Sequence, residues 1–270
     1  MDLKFRQEKN FTAMFRLVRK AALRMLMVSC LRPSSLRYIG SSQRGDLSLA
    51  ETLDGDTIQQ YTQLARDCGI WLSLGGFHER GPDWDTDRRI CNSHIVLDST
   101  GNIVSVYRKA HLFDVDLQSG VSLRESHSTL PGTELVRPIS SPAGKVGLGV
   151  CYDLRFPELS LALAQGGAEI LTYPSAFTVP TGLAHWEVLM RARAIETQCY
   201  VVAAAQTGNH NQKRTSYGHA MVVDPWGAVI AQCPEGTGLC YAEIDIAYLE
   251  RVRREMPVWQ HRRTDLYGKI

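Results

Sequence analysis

The sequence predicts an α/β domain, and three observations support that prediction. Strand-like apolar runs alternate with helical patterns through the second half of the chain. The 270 residues suffice for one large domain or two small ones, and neither a repeat nor a low-complexity linker divides them. A hydrophobic content of 44% and a charged content of 21% are ordinary for a globular protein with a sizeable core. A single domain is the simplest interpretation.

The elements of the first half follow from local signals. Residues 54–68 have a helical pattern that Gly69 closes, because glycine readily adopts the left-handed conformation of a helix C-cap. Residues 69–78 predict a strand. Two further strands, 93–97 and 103–107, are separated by Ser-Thr-Gly-Asn, which is typical of a β-hairpin turn.

The second half alternates strands with helices and then ends in a hairpin. The predicted elements are a strand over 145–150, a helix over 156–165, a strand over 170–174, a helix over 186–197 and a strand over 200–205. Strands 218–223 and 229–232 flank Asp-Pro-Trp-Gly, and a last strand over 239–244 precedes a helix that ends at Arg254. Such alternation is typical of βαβ units in a parallel sheet.

Charge and cysteine content exclude several function classes. The formal net charge of +2 is close to neutral. Proteins that bind nucleic acids or membrane surfaces usually carry a marked excess of basic residues, so we expect the chain to bind neither nucleic acid nor membranes. The seven cysteines include no Cys-x-x-Cys pair, which favours a reducing compartment such as the cytoplasm over a secreted disulfide framework. The eight histidines lack zinc-ligand spacing, so we expect no metal site.

The first 45 residues differ in composition from residues 46–270. Between Glu8 and Asp46 the chain contains no acidic residue, while basic residues recur. This bias is typical of a mitochondrial presequence and also of a basic helix, so the mitochondrion is an alternative location to the cytoplasm. Residues 10–24 predict a helix within this divergent segment.

The most distinctive chemical signal is a cysteine at a predicted strand-to-helix junction. The strand over 145–150 runs directly into Cys151, and Pro157 stands at a favoured first-turn position of the next helix. Backbone N–H groups at such a junction favour a thiolate and can bind an oxyanion, which suits nucleophilic catalysis. The alternative is a buried apolar cysteine, the commonest state of an unpaired thiol.

Three motifs in a fixed order extend this signal along the chain. Cys151 lies in Gly-Val-Cys-Tyr-Asp-Leu-Arg-Phe-Pro-Glu, Lys109 in Tyr-Arg-Lys-Ala-His-Leu-Phe, and Glu125 in Arg-Glu-Ser-His-Ser-Thr-Leu-Pro-Gly. These runs resemble the nucleophile, lysine and second-glutamate motifs of the nitrilase, or carbon–nitrogen hydrolase, superfamily. The resemblance extends over residues 46–270. It implies a four-layer α-β-β-α sandwich that pairs with a second copy of itself as a homo-oligomer.

The resemblance also implies a role for each motif. Cys151 is expected to attack an amide carbon and form a thioester, without a metal or an organic cofactor. Lys109 and the backbone N–H of Tyr152 are expected to hold the oxyanion. Glu125 is expected to position Lys109 or the substrate.

Further candidates carry weaker signals. Apart from the resemblance, Lys109 would be interpreted as an exposed cation at a strand end and Glu125 as a solvated loop charge. Trp186 and Glu187 are assigned to the substrate pocket and the subunit contact. His219 is an alternative, papain-like base for the cysteine, and that scheme requires an orienting partner that the sequence does not identify.

Two other runs indicate a substrate. Residues 196–206 and 260–268 resemble the branch of the superfamily that acts on deaminated glutathione. The sibling omega-amidase branch, which acts on α-keto acid amides, shares the catalytic motifs and fits these runs less well. We therefore expect hydrolysis of deaminated glutathione. The alternatives are an omega-amidase and a non-catalytic binding protein of the same fold.

The chain departs from the family pattern at the expected general base. Family members end an early strand in Phe-Leu-Pro-Glu-Ala, whereas this chain reads Ser-Cys-Leu-Arg-Pro-Ser over residues 29–34 and places Arg32 where the glutamate is expected. The codons TTC-CTG-CCT-GAG-GCC-TTC spell Phe-Leu-Pro-Glu-Ala-Phe, and read one base later, with a following G, they spell the sequence found here. We infer a local frameshift at about residues 29–37 or a gene-model error. The rival explanation is a divergent protein that lost its base. In both cases the chain as written is predicted to be a poor amidase.

Overall fold

The computed structural model describes residues 26–30, 50–116, 122–211, 214–236 and 238–268, with the backbone alone at 26–30 and 211. Over these ranges the chain forms two β-sheets flanked by helices. None of the helices described there is long and apolar enough to cross a membrane. The helix predicted over residues 10–24 lies outside the described residues.

The first sheet has five strands of mixed orientation. They are β1 (Leu26–Cys30), β2 (Trp71–Arg80), β3 (Ile90–Leu97), β4 (Ile103–Arg108) and β7 (Thr129–Leu130), which pairs with the start of β3. β1 runs parallel to β2 and places Cys30 opposite Gly75, whereas β2, β3 and β4 are antiparallel neighbours. Helix α1 (Asp56–Cys68) precedes β2 and ends at Gly69, whose φ of 63° confirms the predicted left-handed cap.

The second sheet has six strands. Their order is β15 (Val229–Gln232), β14 (Met221–Val223), β11 (Tyr200–Ala203), β10 (Ile170–Thr172), β9 (Gly144–Leu148) and β8 (Ile139–Ser141). β9, β10 and β11 are parallel, and α2 (Pro157–Gln165) and α3 (Val179–Thr197) connect them, which confirms the predicted βαβ alternation.

Smaller elements complete the chain. They are the ribbon of β5 (Asp114–Asp116) and β6 (Ser122–Arg124), the ribbon of β12 (Thr207–Asn211) and β13 (Arg214–Tyr217), and the helices α4 (Ile246–Glu255) and α5 (Thr264–Tyr267).

Three apolar clusters show how the layers stack. The first packs α1 on the first sheet through residues such as Leu64 and Leu72. The second fills the space between the two sheets and includes Val96 and Leu148. The third packs α2 and α3 on the second sheet, with Met190 fully buried. Because side chains alternate across a strand, each sheet contributes to two clusters. The predicted four-layer α-β-β-α sandwich is confirmed.

Helix α3 begins at Val179, well before the predicted start at residue 186. Pro180 and Gly182 conceal its first turns from sequence patterns, because both residues are unfavourable inside helices. Pro180 is tolerated in the first turn, where its missing N–H would have no helical partner. Gly182 lies against the ring of Tyr217, which leaves no room for a Cβ atom.

The strand predicted over residues 239–244 is wrong. The described residues 238–245 form no β-ladder, although exposed and partly buried side chains alternate over residues 241–245. An alternating pattern indicates that one side of a segment is buried. It does not provide the neighbouring strand whose backbone would complete a β-ladder. A side chain holds the end of this segment instead, because the N–H of Asp245 donates to the hydroxyl oxygen of Tyr200 at 3.1 Å and its carbonyl accepts from that hydroxyl at 3.2 Å.

We expect Gly182→Ala to destabilise the protein, although alanine is usually about 1 kcal/mol better than glycine inside a helix. The added methyl group would overlap the Tyr217 ring and push α3 away from β13, at an expected cost of about 1–3 kcal/mol. Urea unfolding measures the change. In a Tyr217→Gly background, which removes the Cβ atom of Tyr217 as well as its ring, the same substitution should become neutral or stabilising. An equal loss in both backgrounds would refute the steric explanation.

Candidate active site

The predicted cysteine junction lies where β9 leaves the second sheet. The N–H of Gly149 donates to Thr172 O at 2.9 Å and that of Cys151 to Pro174 O at 3.0 Å, so the chain stays paired as far as the cysteine. The backbone then enters a 3-10 turn, Cys151–Arg155, ahead of α2. Cys151 has a φ of 47°, in the left-handed region that few non-glycine residues adopt. Such a conformation costs about 1–3 kcal/mol and persists only where its surroundings impose it.

Asp153 holds the peptide group just ahead of this residue. Its side chain is fully buried, and Oδ2 accepts the N–H of Val150 and the hydroxyl of Tyr107, both at 2.9 Å. Oδ1 accepts the backbone N–H of His111 at 3.1 Å and its Nδ1–H at 2.7 Å. Tyr107 and His111 flank Lys109 in sequence. One carboxylate therefore ties the cysteine turn to the loop that carries the predicted lysine.

Lys109 and Glu125 form a buried ion pair, with 2.5 Å between Nζ and Oε2. Their exposed fractions are 2% and 5%, so each charge depends on the other for compensation. Glu125 Oε2 also accepts the backbone N–H of Phe113 at 2.7 Å, and Oε1 lies 3.5 Å from Asn92 Nδ2. The structure brings the two predicted residues into contact, and their catalytic roles stay predictions.

His78 adds a neutral polar group to this side of the site. It lies opposite Asn92 in the ladder between β2 and β3. Burial lowers the pKa of His78 to about 4, and the nearby Glu125 carboxylate opposes that shift. The imidazole is therefore uncharged at pH 7, and the Lys109–Glu125 pair gains no further cation from it.

Aromatic rings surround the cysteine turn. The His111 imidazole stacks on Phe156 with ring centroids 3.7 Å apart. Tyr152 meets Phe113 and Phe156 edge-on, at centroid distances of 4.9 and 5.2 Å. Tyr152 is half-buried in this cluster, and its predicted contact with substrate stays a prediction.

Trp186 is enclosed in the core, and its predicted place in the substrate pocket stays a prediction. Its exposed fraction is 1%, and it packs edge-on against Phe177 with centroids 4.9 Å apart. The indole N–H donates to the His219 carbonyl at 2.7 Å. His219 itself stacks on Tyr217, and its Nδ1 bonds the carbonyl of that residue at 2.8 Å, so the described side-chain bond of His219 is to a residue two positions away.

Glu187 lies on the exposed side of α3. It forms an ion pair with Arg191, one helical turn away, at 3.4 Å, and both side chains are about half exposed to solvent. The described contacts do not bring Glu187 to Cys151, so its assignment to the pocket gains no support. Its predicted role at a subunit contact stays a prediction.

The position of the missing glutamate, Arg32, lies outside the described residues. The strand that precedes it is described, however, and ends at Cys30 opposite Gly75. Gly75 packs on the ring of Pro174, and the carbonyl of that proline accepts the N–H of Cys151. The end of β1 is therefore next to the cysteine turn.

Sequence patterns missed Asp153, His78 and Asn92 as parts of this site. A signal for Asp153 was available. This residue lies two positions after Cys151, at the end of an apolar strand, and an acidic residue that is buried there must be hydrogen-bonded. For His78 and Asn92 the signal was weaker. A polar side chain within a largely buried strand is as compatible with core packing as with a site.

The fold and the motifs match a known family. The model of the carbon–nitrogen hydrolase family covers residues 4–254 of the chain. The chain belongs to the carbon–nitrogen hydrolase family. It is therefore a hydrolase of the amidase type with the fold of the nitrilase superfamily, as the motifs predicted.

Several relatives of this family member are known. Human deaminated glutathione amidase is 59% identical over 264 residues, which cover 98% of this chain and 80% of that protein. The crystal structure of the Caenorhabditis elegans NitFhit protein has 49% identity and a TM-score of 0.86, over 96% of this chain and 62% of that one. Saccharomyces cerevisiae Nit3, a member of branch 10 of the nitrilase superfamily, has 31% identity and a TM-score of 0.79, over 95% and 89%.

We expect Asp153→Asn to destabilise the protein by about 3 kcal/mol, because an amide N–H₂ would face N–H donors that now meet a buried carboxylate. Urea unfolding measures the loss. Asp98→Asn is the matched control, since Asp98 also accepts backbone N–H groups but lies in a partly exposed hairpin turn. That change should cost less than about 1 kcal/mol. Similar losses in the two variants would contradict the organising role of Asp153.

Proposed function

We propose that the chain hydrolyses a small linear amide, deaminated glutathione, through a thioester on Cys151. The observation that carries the proposal is the connection, through Asp153, between the cysteine turn and the loop of the buried Lys109–Glu125 pair. A nucleophile on a sharp turn with a nearby buried cation suits covalent acyl transfer. Relatives named deaminated glutathione amidase, 57% and 59% identical to the chain, support the choice of substrate.

The first half-reaction forms the acyl-enzyme. The Cys151 sulfur attacks the amide carbon, an S–C bond forms, and the carbonyl electrons move onto oxygen. The Lys109 ammonium and the N–H of Tyr152 stabilise that oxyanion. Collapse of the intermediate breaks the C–N bond, and the leaving nitrogen takes up a proton and departs as the amine of cysteinylglycine. Glu125 compensates the buried ammonium throughout.

The second half-reaction regenerates the thiol. Water attacks the thioester, the S–C bond breaks, and the acid leaves. Both halves require a group that accepts a proton and returns it. The family resemblance assigns that work to a glutamate after the early strand, where this chain has Arg32. We therefore propose that the lineage is that of an amidase and that the chain as written turns over slowly.

A restored variant tests this proposal. Replacing residues 29–34 by Phe-Leu-Pro-Glu-Ala-Phe should raise the release of cysteinylglycine from deaminated glutathione by about 10²–10⁴-fold, the usual contribution of a positioned base. Iodoacetamide should label Cys151 in both proteins, since alkylation requires the thiolate and no turnover. Cys151→Ala in the restored variant should abolish the release of cysteinylglycine. Circular dichroism and a thermal melt establish that the two proteins are equally folded.

The same assay separates the alternatives. α-Ketoglutaramate is measured in parallel, and a preference for it would identify an omega-amidase. A folded chain as written that matches the restored variant would refute the missing-base explanation. If neither protein hydrolyses either amide although Cys151 is labelled, the non-catalytic alternative is favoured and the proposed amidase activity is wrong.

We also propose that two copies of the chain associate through the outer side of α3. Val188 and Ile195 lie two turns apart on this helix and are 67% and 51% exposed. The exposed Trp226 is in the turn whose Gly227 packs on Ile195. Large apolar side chains grouped in this way are typical of a protein interface. Glu187 and Arg191 flank the group, consistent with the predicted subunit contact.

Sedimentation measures this association. A Val188→Lys/Ile195→Lys variant should sediment as a monomer, because two cations would be buried without partners at the proposed interface. Ile103→Lys is the control, since Ile103 is also exposed but lies on β4 of the first sheet. The proposal fails if the α3 variant keeps the mass of the parent, or if the parent is monomeric at micromolar concentration.

A further inference from the structure

A buried histidine of the first sheet contacts the backbone just ahead of the nucleophile. His94 in β3 is fully buried, and its Nδ1 lies 3.0 Å from the carbonyl oxygen of Gly149, which follows β9 in the second sheet. Its Nε2 lies 2.6 Å from the hydroxyl of Ser73 in β2. A carbonyl can only accept, so Nδ1 carries the proton and donates. Nε2 then accepts from the Ser73 hydroxyl.

The His94 ring is neutral, which makes its tautomer decisive. Burial lowers its pKa to about 4, while the bond to the Gly149 carbonyl and the charge of Asp153 oppose the shift. A neutral imidazole has one N–H, and only the tautomer with the proton on Nδ1 can satisfy Gly149. Ser73 selects that tautomer by donating to the other nitrogen.

The Gly149 carbonyl needs this donor because the neighbouring strand cannot supply one. The N–H of Gly149 donates to Thr172, and the N–H of Cys151 donates to Pro174. In a regular parallel ladder, the bond between these two would be donated by the backbone N–H of residue 174 to the Gly149 carbonyl. Pro174 has no N–H. A buried carbonyl without a partner costs about 1–3 kcal/mol, and His94 supplies the bond from the opposite sheet.

The same peptide group is also held at its other end. The carbonyl of Gly149 and the N–H of Val150 belong to one planar unit. That N–H donates to Asp153 Oδ2 at 2.9 Å. The peptide is therefore fixed between a histidine of one sheet and a carboxylate of the cysteine turn. The next residue along the chain is Cys151, with its left-handed φ of 47°.

We propose that His94 is a positioning residue for the nucleophile. By holding the Gly149–Val150 peptide through Nδ1–H, it sets the direction in which Cys151 leaves the sheet. Ser73 acts through His94 by selecting its tautomer. The inference rests on the proposed function only in taking Cys151 as the nucleophile. An error of about 1 Å in the placement of a reacting group can cost about 100-fold in rate.

Two amides of different length test which ring nitrogen matters. In His94→Asn the side-chain N–H₂ falls near the position of Nδ1 and can still donate to Gly149. In His94→Gln it falls near the position of Nε2 and reaches Ser73 instead. The second-order rate of Cys151 alkylation by iodoacetamide is measured by peptide mass on the chain as written. We expect His94→Asn to stay within about 3-fold of the parent and His94→Gln to slow by about 10-fold or more.

Controls separate positioning from general loss of packing. Both variants replace the ring by a smaller amide, so thermal melts should show similar destabilisation. Cys151→Ala measures background labelling of the other cysteines. The proposal is overturned if the two amides give the same labelling rate, or if His94→Gln reacts like the parent. Should His94→Gln be unfolded, Ser73→Ala decides: slower labelling supports the proposal, and an unchanged rate refutes it. Amide hydrolysis is not the readout, so a restored variant that hydrolyses neither amide would refute the proposed function and leave this test intact.

Discussion

The carboxylate of Asp153 is the interaction on which the rest of the site depends. Packing between the two sheets is apolar and therefore non-directional. It cannot by itself fix the relative position of the sheets with the precision that a hydrogen bond requires. Asp153 provides that precision, because its donors come from the end of β4, from the loop after it and from the cysteine turn. A buried charge with four donors is stable only when all of them are present. The conformation of Cys151, the position of the loop that carries Lys109 and the relative position of the two sheets therefore depend on one another.

Much of the fold could be predicted because its signals are local. The C-cap at Gly69 and the turn before β4 depend on residues within a few positions of each other. The failures have tertiary causes. Gly182 weakens the helical pattern of α3 because Tyr217, from another element, occupies the space beside it. The segment 239–244 has the alternation of a strand but pairs with no backbone among the described residues.

For the candidate site, the sequence pointed to the residues of the motifs and not to the residues that hold them in place. Motifs identified Cys151, Lys109 and Glu125, and the structure joins the last two in an ion pair. The residues that hold them were not identified, because their partners are distant in sequence. Tyr107 lies 46 positions from Asp153, and His94 lies 55 positions from Gly149. No periodic pattern links such pairs, and a buried polar residue in a strand shows only that some partner exists.

Pro174 has a consequence for how this part of the protein can change in evolution. Any other residue at this position would bring an N–H group that competes with His94 for the carbonyl of Gly149. The second sheet could then complete its own ladder, and the first sheet would lose its direct bond to the backbone ahead of the cysteine. A substitution of Pro174 alone therefore leaves a donor in excess, and loss of the donor at position 94 alone leaves the Gly149 carbonyl without a partner. Positions 94 and 174 form a co-dependent pair, each acceptable only while the other keeps its present chemistry.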